Sequence, residues 1–199
     1  MNNKISISKN NAKMGGIPSI SLPPVTTCHN CEQCSKKCYA LRMAKRRKSI
    51  MQAWQKNLDV FNNNPESFKI QLLSECITSL YFRYFVGGDI PNTQFFNMMV
   101  DVATVAKNCN FLAFTKNYNV VNEYLDKGGK IPQNLKIIFS EWDKPINNPH
   151  GLPKSKVIFK GEKEPAGAKI CGGNCFECIC KGIACWTLEN NDIIYFYEH

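Results

Sequence analysis

Tyr81-Phe82-Arg83-Tyr84-Phe85-Val86-Gly87-Gly88-Asp89 is the stretch from which the architecture is read. Its aromatic and β-branched run over 81–86 predicts a strand, and Gly87-Gly88-Asp89 ends it. Asn92 or Thr93 can then cap a helix over 94–107, and Phe111 opens the next strand, 111–114. The alternation continues with a helix over 118–127, stopped by Gly128-Gly129, and with strands at 135–139, 156–159 and 192–197. Upstream, Leu41, Ala44, Ile50, Met51, Trp54, Leu58 and Phe61 recur near helical spacing with Lys and Arg between them, which predicts one long helix over 40–61. Pro65 behind Asn64 opens a second helix, running to about residue 80. A short strand is expected at 19–22, between prolines.

Strands alternating with helices argue for a parallel sheet of βαβ units. About four central strands are expected, too few for a closed eight-stranded barrel of roughly 250 residues. The fold class is α/β: a partial, open βα barrel or a small, mostly parallel sheet, with cysteine-rich N- and C-terminal segments. The 199 residues read as one domain: an N-terminal segment 1–39, a βα core 40–165 and a C-terminal closing segment 166–199. In such folds ligands bind at the C-terminal ends of the strands. Gly88, Asp89, Thr115, Lys116, Ser140, Glu141 and Lys160 all fall there.

Composition narrows the class. With 44% hydrophobic and 21% charged residues the chain buries a real core. No stretch approaches the roughly 18 apolar residues of a membrane helix. The first 24 residues carry Lys4 and Lys9 but no apolar centre, so they do not read as a secretion signal. A cytosolic protein that avoids membranes is expected. Eleven cysteines in a reducing compartment point to metal rather than disulfides. Cys76, in an apolar helical pattern, and Cys109, just before a strand, read as buried structural thiols.

The other nine thiols form two groups. Cys28, Cys31, Cys34 and Cys38 follow C-x2-C-x2-C-x3-C, the run of bacterial ferredoxins without its proline. Four thiols this close would have difficulty surrounding one small ion, whereas a cubane has four corners to reach. His29 beside them reads as a loop residue rather than a ligand. Near the other end Cys171, Cys175, Cys178, Cys180 and Cys185 fall within fifteen residues. Cys171, Cys175, Cys178 and Cys185 are the expected ligands and Cys180 the spare. Two 4Fe–4S clusters are expected, with zinc as the alternative at the C-terminal site.

The formal net charge is +9. Lys36, Lys37, Arg42, Lys45, Arg46, Arg47 and Lys48 follow the first thiols closely. This basic run is either a solvated helix face or a surface that attracts an anionic substrate, an electron donor or nucleic acid, the last through residues 42–48.

Together the motifs resemble a family of phages and mobile elements, the phage gene product 88-like proteins. The resemblance rests on Thr27-Cys28 with Cys34-x3-Cys38-Tyr39-Ala40; on Gly87-Gly88-Asp89-Ile90; on Phe111-Leu112-Ala113-Phe114-Thr115-Lys116 with Tyr118; and on Cys171-x3-Cys175 with Cys185-Trp186 before a terminal strand ending at His199. It implies Cys28, Cys34 and Cys38 as the usual N-terminal thiols, with Cys31 and Cys180 as additions, and carries no settled activity. More distantly, the chain resembles the radical S-adenosylmethionine barrel. Those enzymes hold the methionine amino group on a Gly-Gly-Glu-like turn after their second strand. That resemblance implies Gly87, Gly88 and Asp89 as a cofactor-binding turn, which Lys116 joins as a strand-end polar group, and, if Cys31 is not a ligand, an open iron for S-adenosylmethionine. The readings left standing are an iron–sulfur enzyme of unknown substrate, a cluster- or zinc-stapled nucleic-acid-binding module and an electron carrier.

Overall fold

The computed structural model describes residues 4–142, 144–182 and 185–198; His199 lies outside them. Seven strands form one sheet: β1 (Ser19–Ile20), β2 (Tyr81–Tyr84), β3 (Asn110–Thr115), β4 (Leu135–Ser140), β5 (Lys154–Ile158), β6 (Lys169–Ile170) and β7 (Ile193–Tyr197). Their order is β1-β2-β3-β4-β5-β7-β6, and every neighbouring pair is parallel. The sheet is open. It exceeds the expected four or so central strands because the two-residue segments β1 and β6 and the late strand β7 also pair in parallel.

Seven α-helices connect these strands among the described residues: α1 (Glu32–Lys36), α2 (Tyr39–Arg46), α3 (Lys48–Asn63), α4 (Pro65–Ile77), α5 (Thr93–Val105), α6 (Tyr118–Asp126) and α7 (Cys175–Cys180). Two of the caps anticipated from sequence are present. Asn64 accepts a hydrogen bond from Ser67 N at 2.9 Å and Asn92 one from Phe95 N at 2.9 Å. The single helix expected over 40–61 is broken. Arg47 is extended, at φ −136° and ψ 96°, between α2 and α3. No residue there is a helix breaker; packing decides. Ala40 and Ala44 of α2 join Trp54, Ile50 and Met51 of α3 in one apolar cluster. In an unbroken helix, Ala40 and Trp54 would stand about 21 Å apart.

From β1 to β5 each strand is added beside the last, so parallel crossovers of one hand deliver the helices to one face. Phe82, Tyr84, Phe111, Ala113, Ile137 and Phe139 point to that face and share the main core with Phe61, Phe68, Leu72 and Phe95. The alternate residues Leu112, Ile138 and Ile194 point the other way. They are covered by Leu188, Trp186, Cys171 and Cys185. The C-terminal thiol segment therefore closes the sheet face that the helices leave bare.

The turn after β2 depends on two missing side chains. Gly88 has φ +79°, and a Cβ there would stand 2.5 Å from the Leu22 carbonyl oxygen and 2.8 Å from Thr27 Oγ1. A Cβ on Gly87 would stand 2.6 Å from the Trp54 ring. Gly128 has a similar φ of +82° but open space around it. Gly128→Ala is expected to lower the unfolding free energy by about 1–2 kcal/mol, the left-handed penalty alone. Gly88→Ala is expected to exceed it by at least about 1 kcal/mol, because backbone must move as well. Urea denaturation of both variants beside the parent checks the difference.

Candidate functional site

A cleft of about 280 Å³ opens where the sequence places strand ends. Gly87, Gly88 and Asp89 after β2, Thr115 and Lys116 at the end of β3, and Ser140 and Glu141 at the end of β4 line it. So do seven thiols: Cys28, Cys31, Cys34 and Cys38 of the first group, and Cys171, Cys175 and Cys185 of the second. The two groups, far apart in sequence, face the same cavity. Cys178 does not line it and packs against Gly172. Cys180 is exposed. Cys76 and Cys109 are buried in the main core, away from the cleft. Lys160, expected at a strand end, is exposed and gives its amide to Glu198 Oε2 at 3.4 Å.

The first thiol loop is held by short hydrogen bonds. Thr27 is buried; its hydroxyl donates to Pro23 O at 2.8 Å and accepts from Asp89 N at 3.1 Å. Thus Thr27-Cys28 is fastened to the turn after β2. Asn30, in the left-handed region at φ +47°, donates to Lys116 O at 2.8 Å. His29 is exposed and its ring nitrogen lies 3.2 Å from Pro91 O, so it tethers the loop. Cys31 precedes α1 and Cys38 precedes α2. Tyr39 then gives its hydroxyl to the Val86 carbonyl.

The second thiol segment is anchored to both chain ends. Cys171 N donates to Tyr195 O on β7 at 2.9 Å. Asn174 caps α7, accepting from Glu177 N, and donates to Ala12 O at 3.3 Å. Cys175 Sγ lies 3.9 Å from Met14 Sδ. Trp186 donates to Asn110 O at 3.3 Å and meets Tyr81 edge to face. Lys37 of the first segment pairs with Glu198 beyond β7.

Asp89 is buried, and three donors already point at it. Oδ1 accepts from Thr115 Oγ1 at 2.6 Å and from Ile90 N at 2.7 Å; Oδ2 accepts from Lys116 N at 2.8 Å. Its carboxylate joins the ends of β2 and β3. Burial nonetheless pushes its pKa up to about 6, against the pull of those donors. The Lys116 ammonium sits 5.5 Å from the Trp142 ring centre. Glu141 is paired with Lys156 at 2.7 Å and Lys154 at 3.4 Å.

Arg83, not singled out by sequence reasoning, lines the cleft from β2. Its guanidinium lies 4.4 Å from the Phe114 ring centre, and its Nε donates to Tyr84 O at 3.1 Å. The available signal was its place among aromatics at alternate positions of a strand: Arg83 shares a face with Tyr81, opposite Phe82 and Tyr84.

Burial raises the pKa of five cleft thiols. Cys28 and Cys185 are pushed up to about 12, and Cys31, Cys34 and Cys175 are raised. Among the described residues no three His, Cys, Asp or Glu side chains converge closely enough to hold a single metal ion. Soft sulfur donors are the ligands that both zinc and iron–sulfur clusters take.

Of the basic stretch, Lys37 lines the cleft and the cations of residues 42–48 do not. Arg42, Lys45, Arg46, Arg47 and Lys48 are exposed, and none has a carboxylate partner among the described residues. Among the described residues no helix is long and apolar enough to cross a membrane.

The raised pKa of Asp89 has a definite sign. Between about pH 4 and pH 6 the native state binds this proton more tightly than the unfolded chain. The contribution to stability is therefore complete at low pH and is lost as pH rises through about 6, a loss on the order of 2–3 kcal/mol. Asp89→Asn is expected to flatten the pH–stability curve over that window, while lowering stability overall because its amide NH2 opposes a donor. Urea unfolding of parent and variant across pH 4–7 gives the difference curve.

Comparison with curated proteins and with solved structures returns no match. The sequence model of one family, described as Gene product 88, matches residues 1–180. That span takes in β1 to β6, the first thiol group, the turn after β2 and the second group as far as Cys180. The chain belongs to the Gene product 88 family.

Proposed function

We propose that the chain is an iron–sulfur protein with two 4Fe–4S sites, one on each side of a single cleft. The observation that carries this reading is the meeting of the two thiol groups around that cleft, at the C-terminal ends of a parallel sheet. Cys28, Cys31, Cys34 and Cys38 would hold the first cluster; Cys171, Cys175, Cys178 and Cys185 would hold the second, with zinc as the alternative there. Such clusters supply one-electron chemistry. The protein's own part is to bury the thiols, to fix the first loop through Thr27 and Asn30, and to exclude solvent with Trp186 and Leu188. A cleft beside both sites favours an enzyme over a simple electron carrier, which needs no substrate cavity.

The finer proposal is radical chemistry with S-adenosylmethionine. It needs an open position at the first site, with Cys28, Cys34 and Cys38 as ligands and Cys31 free. Gly87, Gly88, Asp89 and Lys116 all border the cleft beside these thiols. Because Asp89 already accepts three hydrogen bonds, its role here is to hold the Lys116 end of β3 against the thiol loop. Electron supply to such a site would come from a donor protein in the cytoplasm.

A second reading, nucleic-acid binding, is favoured by the exposed basic elbow between α2 and α3, whose cations have no carboxylate partners among the described residues.

Protein purified without oxygen is expected to carry iron and acid-labile sulfide for two clusters; zinc alone under iron-replete conditions would refute the proposal. In the same preparation Cys31→Ala should keep its first cluster and Cys34→Ala should lose it. S-adenosylmethionine should change the electron paramagnetic resonance signal of the reduced parent. An unchanged spectrum, with Cys31→Ala as damaging as Cys34→Ala, would mean a closed site.

For the second reading, duplex affinity should fall with salt at a slope near −0.9 per phosphate neutralised. Replacing Arg46, Arg47 and Lys48 with Gln should reduce that slope by about 1 for each phosphate left without its cation. Absence of binding at low salt would leave the elbow a solvated face.

A further inference from the structure

Two cations in the cleft lack what a half-buried cation normally has. Arg83 and Lys116 are each partly buried and line the cavity. Neither forms an ion pair among the described residues; the carboxylate that Lys116 influences, Asp89, already accepts three other hydrogen bonds. Other cleft lysines are differently placed: Lys37 is tied to Glu198, Lys156 to Glu141, and Lys13 stands 5.8 Å from the Tyr39 ring centre. Each of the two cations rests on an aromatic ring instead, Arg83 on Phe114 and Lys116 on Trp142. A ring holds a cation in place but does not neutralise it. Taking a charge partly out of water without an anion is unfavourable, so each of these places favours a negative charge beside it.

The neighbours of each cation show where that negative charge belongs. Arg83 rests on Phe114, and that ring packs in one cluster with Cys171 and Cys185. Lys116 takes the side chain of Asn30, which lies between Cys28 and Cys31, on its carbonyl at 2.8 Å and borders the cleft with Cys31 and Cys34. The Nε of Arg83 is used on Tyr84 O, and Arg83 lines the cleft. The arrangement is thus doubled: one thiol group, one cation and one ring on each side.

Resting on the two-cluster reading above, we infer that Arg83 and Lys116 are the counter-cations of the two thiolate-bound centres, Arg83 for the C-terminal site and Lys116 for the N-terminal site. They are positioning and charge-setting residues. A cation beside a cluster favours its reduced, more negative form, so removing it makes reduction harder. The paired arrangement makes the effect local to one site in each case.

The test is a dithionite titration of the anaerobically purified full chain, followed by electron paramagnetic resonance, with the two signals assigned in Cys34→Ala and Cys185→Ala. Arg83→Gln is expected to shift the one-electron reduction equilibrium of the C-terminal site about tenfold toward the oxidised form, 59 mV for one electron, and to leave the N-terminal signal in place. Lys116→Gln is expected to do the reverse. Arg83→Lys, which keeps the charge, should restore most of the parent potential, a recovery that a purely structural role would not give. Loaded protein whose two potentials ignore both substitutions, or move together in each, overturns this inference alone. A parent chain that binds no iron overturns the cluster reading and this inference with it. If Arg83→Gln does not fold, Arg83→Lys and Lys116→Gln still decide between these outcomes.

Discussion

The carboxylate of Asp89 is the junction on which the cleft depends. Its own amide meets the Thr27 hydroxyl, its two oxygens take donors from Thr115, Ile90 and Lys116, and the glycine before it lies against the Leu22 carbonyl. Three stretches distant in sequence converge there: the thiol loop after β1, the turn after β2 and the end of β3. A buried acid satisfied by three donors is stiff, because loosening any one hydrogen bond leaves a polar group unpaired in a dry place. The position of Cys28 relative to Lys116 is therefore fixed by hydrogen bonds between side chains and backbone, whatever the thiols hold.

The same junction explains why this motif was visible in the sequence and why its meaning was not. Gly87-Gly88-Asp89 stands out as an end to an aromatic strand, and its place at a strand end was correct. What the letters do not reveal is what fills the space beside the glycines. Trp54 and Leu22 do so, and both come from elsewhere in the chain. The elements with strong local signals were legible: the Asn64 and Asn92 caps, the β2, β3 and β4 runs, and the stop at Gly128. The break at Arg47 was not, because it answers to the packing of Ala40 and Ala44 on Trp54. Nor was β6, whose two residues Lys169 and Ile170 carry no pattern of their own.

The site divides in a similar way. The thiols were legible through spacing, and the strand-end residues through the rule that parallel sheets bind ligands at one edge. That both thiol groups would share a cavity was not readable, since nothing local says that the face opposite the helices is closed by Cys171, Cys185, Trp186 and Leu188. Arg83 was hidden for the opposite reason. A charged residue in a strand is ordinary on a solvated face, and only the fold shows that this face is covered by Trp186, Cys171 and Cys185.

Strand order also has a consequence for the time course of assembly. β6 hydrogen-bonds to β7 and to no other strand, and β7 lies between β5 and β6. During synthesis β6 is made first and has nothing to pair with. Asn174 and Cys175 then emerge with only Ala12 and Met14 to hold them, and the arrival of β7 adds the bond from Cys171 N to Tyr195 O that fixes the segment to the sheet. The N-terminal loop can reach its place as soon as β3 exists, since Asp89, Thr115 and Lys116 are then all present. The two halves of the cleft are thus completed in a fixed succession, the thiols of residues 28–38 early and those of 171–185 among the last parts of the protein to be set.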